Sequence, residues 1–433
     1  MTSLKFFNDR QNLSDIDAIP ADEMKSQGLI SHGEIPKVCF CGVLVKSSQL
    51  FIFLPRSIDI SSLGGSEKIY AASELMRAVN LYGKASKTAV NLTDSDAGFE
   101  GGSQLDIIME LLKTYQERGL YTRRKQAKAL NSGKPDWRAT VASSVAYPGR
   151  EGRPVYLDVV SSKRRYFSDC EVARIQAFIL REIDEKFSWI ISGKIGRVAP
   201  ELNEVMLPCG NSQYMLSILK RELPVLYSDN DVNLVKLLIN YLEVVSGKTD
   251  SNMIIGLKKF HFAWEYMLSK VLADAWVNVN KALPAPAYQK ADGSFENAFR
   301  NGMKTDTVLR RGSDVVVVDA KYYESTNVVN APGWSDIVKQ FFYEKALFAT
   351  GKVTSVKNIF IFPGIIRTYT AIHLRSKSGG EFFDDEFPPI HCYYISPLEV
   401  VHNFINNKKM NTFTNTLFNS NKVEQSLCGK KSH

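Results

Sequence analysis

The stretch Lys304–Tyr323, "KTDTVLRRGSDVVVVDAKYY", decides what kind of core this chain builds. Asp306 and Asp319 flank the turn-forming "RRGS", and the second arm is four consecutive valines running straight into Asp-Ala-Lys. A β-branched run bounded by turn residues predicts a buried strand, with the segment before the turn as its hairpin partner. Side chains alternate along a strand, so Asp319 and Lys321 fall on one face. Closing the hairpin brings the two carboxylates together. Crowded carboxylates repel, and burying charge is costly unless it is paired, so the pair calls for a cation. Hard oxygens suit Mg2+, with Mn2+ as a substitute, and a nearby lysine can orient or help deprotonate a metal-bound water. That is an apparatus for hydrolysing a phosphodiester. The plainer reading is an exposed strand end with a surface ion pair between Asp319 and Lys321.

The neighbouring segments extend the pattern. Upstream, "LKKFHFAWEYMLSKVLADAW" predicts an amphipathic helix with Phe260, Trp264, Met267 and Val271 on one face and Glu265 at its margin. Downstream, "SDIVKQFFYEKALFAT" predicts a helix carrying Gln340 and Tyr343 one turn apart. An apolar strand "VKNIFIFPG" and the strand-to-helix segment "IHCYYISPLEVVHNFI" follow. The order α, β, β, α, β predicts an α/β core with a small central sheet flanked by helices.

At 433 residues the chain has room for two or three domains. An apolar fraction of 44% and a charged fraction of 23% are those of an ordinary globular protein, and no apolar run is long enough to span a bilayer. No membrane association and a cytoplasmic location are therefore expected. The six cysteines form no paired framework, and Cys39 and Cys41 alternate on an apolar strand, where packing is favoured over metal binding. Net charge is +8 and uneven. Arg118, Arg123, Arg124, Lys125, Lys128, Lys134 and Arg138 face a single Asp in their stretch, and Lys163, Arg164 and Arg165 follow. Such a cluster can neutralise phosphates, which marks these ten residues as candidate DNA contacts; a solvated basic face is the alternative.

Three blocks are expected along the chain. Residues 1–160 read as a mixed α+β N-terminal domain: a hairpin at Val38–Leu54, helices at Ser66–Leu81 and Gln104–Arg118, then strand-like "WRATVASSV" and "PVYLDVV". Residues 161–250 read as a helical connector, with a capping-box pattern at Ser168 and Glu171. Residues 251–433 hold the α/β core. The "SGKT" at Ser246–Thr249 lacks the earlier glycine and the preceding strand that a P-loop requires, and reads as a helix end.

"TDTVLRRGSDVVVVDAKYY", "FAWEYML" and "SDIVKQFFY", with the N-terminal "GVLVKSSQLFIFLPRSI", resemble the PD-(D/E)XK nucleases, and among them the McrC-like and LlaJI-type restriction endonuclease subunits. Thr305 stands at the motif's proline, two residues rather than three separate Gln340 from Tyr343, and Arg56 replaces a lysine. The resemblance implies a Mg2+-dependent endonuclease subunit acting on double-stranded DNA with an McrB-like AAA+ GTPase. By position, Asp306 and Asp319 would ligate Mg2+, Glu265 would complete the metal site or orient a water, Lys321 would activate the nucleophile, and Gln340 would position Lys321 or the phosphate. The N-terminal domain would dock on the ring, with Lys46 and Arg56 as candidate docking cations. A stand-alone repair or recombination nuclease, or a non-catalytic adaptor stimulating a AAA+ ring, are the rival readings.

Overall fold

The computed structural model describes residues 3–16, 19–46, 49–88, 99–100, 102–167, 169–194, 199–244, 253–299 and 302–428. The chain divides into two compact units, and they cut across the three sequence blocks. One unit joins Met1–Gly102, Ser192–Ile195 and Ser251–His433; the other comprises Ser103–Ile191 and Gly196–Asp250. The partition at 160 and 250 is thus replaced by an insertion within a discontinuous unit.

The discontinuous unit holds two five-stranded sheets. The first has the strand order Ser3–Asn8, Gln49–Leu54, Cys41–Lys46, Met253–Leu257, Phe99–Glu100. Its centre is the expected hairpin, in which Val45 pairs with Leu50. Met253–Leu257 comes from the far side of the insertion and pairs antiparallel with Cys41–Lys46, Gly256 opposite Gly42. A Cβ on Gly42 would stand 2.2 Å from the Ile255 carbonyl oxygen, so this close approach requires glycine. Met24, Leu29, Phe40, Leu44, Phe51 and Phe53 are fully enclosed beneath this sheet.

The second sheet runs Thr307–Arg311, Asp314–Ala320, Ser355–Pro363, Ile390–Ile395, Ala371–Ile372, and is mixed. Val315 to Val318 are all about 1% exposed. A strand in the middle of a sheet, covered on both faces, wants this unbroken apolar run rather than alternation. Val315 and Val317 pack with Val308, Ala346 and Leu347. Helix Phe260–Val271 covers the same strand, and the helix Gly65–Thr88 joins it to Pro397–Ile405. There Glu74 Oε1 lies 2.6 Å from His402 Nδ1.

The inserted unit carries helices Gly102–Arg118, Glu171–Ser192, Ser212–Glu222 and Asp229–Val244. Ile175, Ile179, Ile183, Leu219, Val235 and Leu238 are buried in it. "WRATVASSV", expected as a strand, is instead the helix Trp137–Ser143, because Asp136 caps it by accepting the Ala139 N–H at 3.0 Å. Ser168 and the "SGKT" segment lie outside the described residues.

Candidate active site

The site is built from the strand register upward. In the hairpin Thr307 pairs with Val318 and Arg311 with Asp314, so the two-residue turn at Gly312 and Ser313 sets Asp306 directly across from Asp319. Gly312 takes φ 63, the left-handed conformation such a turn needs. Thr305 anchors the approach: its N–H and hydroxyl donate to Asn280 Oδ1 at 3.0 and 2.8 Å. Asp306 Oδ2 then accepts the Ala320 N–H at 3.1 Å, locking one acid onto the strand that bears the other.

Around this pair the fold gathers the remaining residues. Lys321 Nζ lies 3.1 Å from Asp319 Oδ2 and 2.8 Å from Asp336 Oδ1. Gln340, fully buried, donates from Nε2 to Asp319 Oδ2 at 3.1 Å, while its Oε1 has no hydrogen-bond partner among the described residues. Glu265 reaches the cluster from helix Phe260–Val271. All five residues expected from sequence therefore converge. Tyr343 serves differently, donating to the Lys304 carbonyl at 2.6 Å. A cleft of about 390 Å³, lined by Trp276, Asn280, Thr305 and Asp306, opens beside the acids.

The electrostatics follow from crowding. Burial, then the neighbouring charge of Asp319, pushes Glu265 up to about 7 against the pull of Lys321. Asp306 is displaced upward as well, by burial of its carboxyl and then by Asp319 and Glu265; although the residue is exposed at the cleft, its carboxyl faces other acids. For Lys321, burial pulls the ammonium down, but Asp319 and Asp336 outweigh it and the net direction is up. Lys321 is thus held as a cation.

Sequence reasoning missed Asp336 and Tyr322. Asp336 stands four residues before Gln340, on the same helix face, and that spacing was the available signal. Tyr322 is buried: its hydroxyl accepts the Arg56 N–H at 3.1 Å and lies 3.6 Å from Cys41 Sγ. Arg56, expected as a docking cation, is turned inward instead, its guanidinium donating to the Tyr322 carbonyl at 3.4 Å and pairing with Glu324 at 4.0 Å. Lys46 ends its strand opposite Gln49.

The basic residues belong to the inserted unit. Strands Arg123–Leu130 and Val160–Phe167 pair antiparallel, with Lys125 opposite Arg165, Gln126 opposite Arg164 and Ala127 opposite Lys163. The two basic segments thus form one ribbon. Arg118, Lys128, Lys134 and Arg138 are exposed, whereas Arg123 is paired with Glu222 at 3.2 Å. The side chains of Arg124, Lys125, Lys163, Arg164 and Arg165 lie outside the described residues.

Among the described residues no three His, Cys, Asp or Glu side chains converge closely enough to hold an ion by themselves. Two carboxylates suffice for Mg2+, which keeps several waters and takes one or two carboxylate ligands. The facing acids and the orphaned Gln340 Oε1 fit that demand. No helix among the described residues is long and apolar enough to cross a membrane.

Fold and site define an α/β protein with a carboxylate–lysine centre at the end of a mixed sheet. The chain belongs to the LlaJI restriction endonuclease family, whose model matches residues 40–372. It is 24% identical over 288 residues to the Type II restriction enzyme BsuMI component YdjA of Bacillus subtilis (strain 168), covering 64% of this chain and 61% of that protein. The chain therefore spans less than two thirds of that relative's length. Among solved structures it is similar to a chain of the half-complex from the tetradecameric assembly of Thermococcus gammatolerans McrB AAA+ hexamers with bound McrC, at 12% identity and a TM-score of 0.42, covering 94% of this chain and 99% of that one. A second similarity, to the Thermococcus gammatolerans McrBC complex, has 10% identity and a TM-score of 0.27, covering 61% and 86%.

Proposed function

We propose that this chain is the Mg2+-dependent endonuclease subunit of a restriction system, of PD-(D/E)XK type, cutting double-stranded DNA together with an McrB-like AAA+ GTPase. The observation that carries it is the register that sets Asp306 against Asp319 with Lys321 beside them. Membership of a restriction endonuclease family supports the nuclease reading, and the naming of the Bacillus relative as a component supports a multi-subunit system. The chain carries no P-loop of its own, which suits a division of labour with a separate motor.

Asp306 and Asp319 would hold the ion and Glu265 would orient its water; a bound Mg2+ supplies Lewis-acid stabilisation of the charge developing on the phosphoryl oxygens. The protein's own groups do the rest. Lys321, paired with both Asp319 and Asp336, presents its positive charge to the phosphate. Glu265, which feels the charges of both Asp319 and Lys321, is the carboxylate placed to orient a water at that ion. Gln340 fixes the direction in which Asp319 points.

The test is plasmid cleavage by the full chain with its ring partner in Mg2+. Asp319→Ala should lower the rate by about 100-fold or more while leaving the fold intact. Cleavage at the wild-type rate by that variant, free of contaminating nuclease, overturns the assignment.

A further inference from the structure

The loops leaving the two central strands of the second sheet end in apolar tips. Asp314–Ala320 and Ser355–Pro363 run parallel, so both loops emerge at the end of the sheet that carries Asp319 and Lys321. The first presents Val328 and Val329, 84% and 97% exposed; the second presents Ile365 and Ile366, 81% and 77% exposed. A single exposed apolar residue means little, but here an adjacent pair stands on each of two loops that leave the same end of the sheet.

These tips are held outward by built contacts. Asn327 Oδ1 accepts the N–H groups of Val329 and Asn330 at 3.0 and 3.1 Å, fixing the single turn Val328–Asn330. One hydroxyl ties the roots of both loops: Tyr394 donates to the Ser325 carbonyl at 3.2 Å and accepts from the Tyr369 N–H at 3.2 Å. The Gly364 N–H donates to the Ile395 carbonyl at 2.9 Å. The charge is permissive as well. No acid lies between Ser325 and Ser335 or between Gly364 and Thr370, and Arg367 follows the isoleucines directly. A polyanion can therefore approach both tips without repulsion from their own residues.

We infer that Val328–Val329 and Ile365–Ile366 form a two-pronged apolar wedge that enters the minor groove of the DNA bound at Asp306 and Asp319 and unstacks a base step. Apolar side chains inserted between bases are how minor-groove proteins kink a duplex, and a kink lets more of the backbone reach the protein. The reach is right: the Lys321 N–H donates to the Ile361 carbonyl, four residues before Ile365. At ~3.3 Å per residue the second prong lies at most on the order of 13 Å from Lys321, because the strand ends at Pro363 and the chain bends at Gly364, and that span exceeds the ~7.5 Å depth of a minor groove. The inference rests on the nuclease reading above.

The experiment is permanganate footprinting of unstacked thymines on plasmid DNA, using the full chain with its ring partner and GTP and with Ca2+ in place of Mg2+, beside a cleavage assay of the same mixture in Mg2+. The wild type should create reactive thymines, and Val328→Ser/Val329→Ser and Ile365→Ser/Ile366→Ser should each lose that signal while melting at the wild-type temperature. Tyr394→Phe, which keeps both prongs but unties their roots, should weaken it. Full reactivity in both serine variants overturns the wedge, and so does loss of self-association or of ring-partner binding without change in reactivity, which would make the patch a protein interface. A wild type that cuts plasmid without reactive thymines fails the wedge alone. A wild type that neither binds nor cuts DNA fails the nuclease reading and takes the wedge with it.

Discussion

At the scale of single residues, the site's chemistry turns on how many acids share one cation. Lys321 serves both Asp319 and Asp336, which leaves Glu265 and Asp306 to be relieved by protons in the metal-free protein. Glu265 is held near 7 in the fold against 4.5 when free, so between those values the folded state binds more protons than the unfolded one. Stability contributed by the neutral acid is present below that window and lost as pH rises through it. In EDTA, Glu265→Gln should therefore be more stable than wild type at pH 8, by up to about 3 kcal/mol, with little difference at pH 4. Thermal melts of both proteins at the two pH values decide it, and a difference that does not grow with pH removes Glu265 from the crowded cluster. The residues legible in the sequence were those whose placement is local or periodic. The acid pair was readable because a two-residue turn fixes its register, and Gln340 because it sits nearly two turns into a recognisable helix. Asp336 was not, because an aspartate in the first turn of a helix is already explained by the helix dipole.

At the scale of elements, intrinsic preference misled where a cap overrode it. Thr140, Val141 and Val145 gave "WRATVASSV" a strand-like appearance, yet Asp136 starts a helix there and Thr140 Oγ1 accepts the Val160 N–H at 3.0 Å. The basic ribbon raised the opposite difficulty, since its two strands are about thirty residues apart in sequence and only their pairing brings the two basic segments side by side. Arg123 is committed to Glu222, so the exposed Lys128, Lys134 and Arg138 are the sharper probes. Reversing all three to Glu should weaken DNA binding without altering sequence preference, and should flatten the salt dependence by roughly three phosphate contacts. Titrations from low to moderate salt measure that slope, and an unchanged value returns the ribbon to a solvated face.

At the scale of the whole molecule, connectivity is what no local pattern could disclose. Met253–Leu257 looks like any short apolar strand, but it completes a sheet begun some two hundred residues earlier. Parallel pairing of Ser3–Asn8 with Gln49–Leu54 is likewise non-local. A consequence is that residues 1–160 and 251–433, expressed separately, should each fail to fold, because the cut parts Cys41–Lys46 from its neighbour and exposes unpaired strand edges. The inserted unit should be dispensable for folding of the other. Phe99–Glu100 pairs with Gly256–Leu257, so the two ends of the insertion leave adjacent strands and a Gly/Ser linker of about six residues can close the gap. Of the excised span only Ser192–Ile195 belongs to the retained unit. The shortened protein should melt in one cooperative transition and keep the Mg2+ dependence proposed for the site, while losing the salt-dependent DNA affinity proposed for the ribbon. Calorimetry together with DNA titration distinguishes the outcomes: a chain that no longer folds would make the insertion part of the same cooperative core, and one that folds with undiminished DNA affinity would move the phosphate contacts onto the catalytic unit.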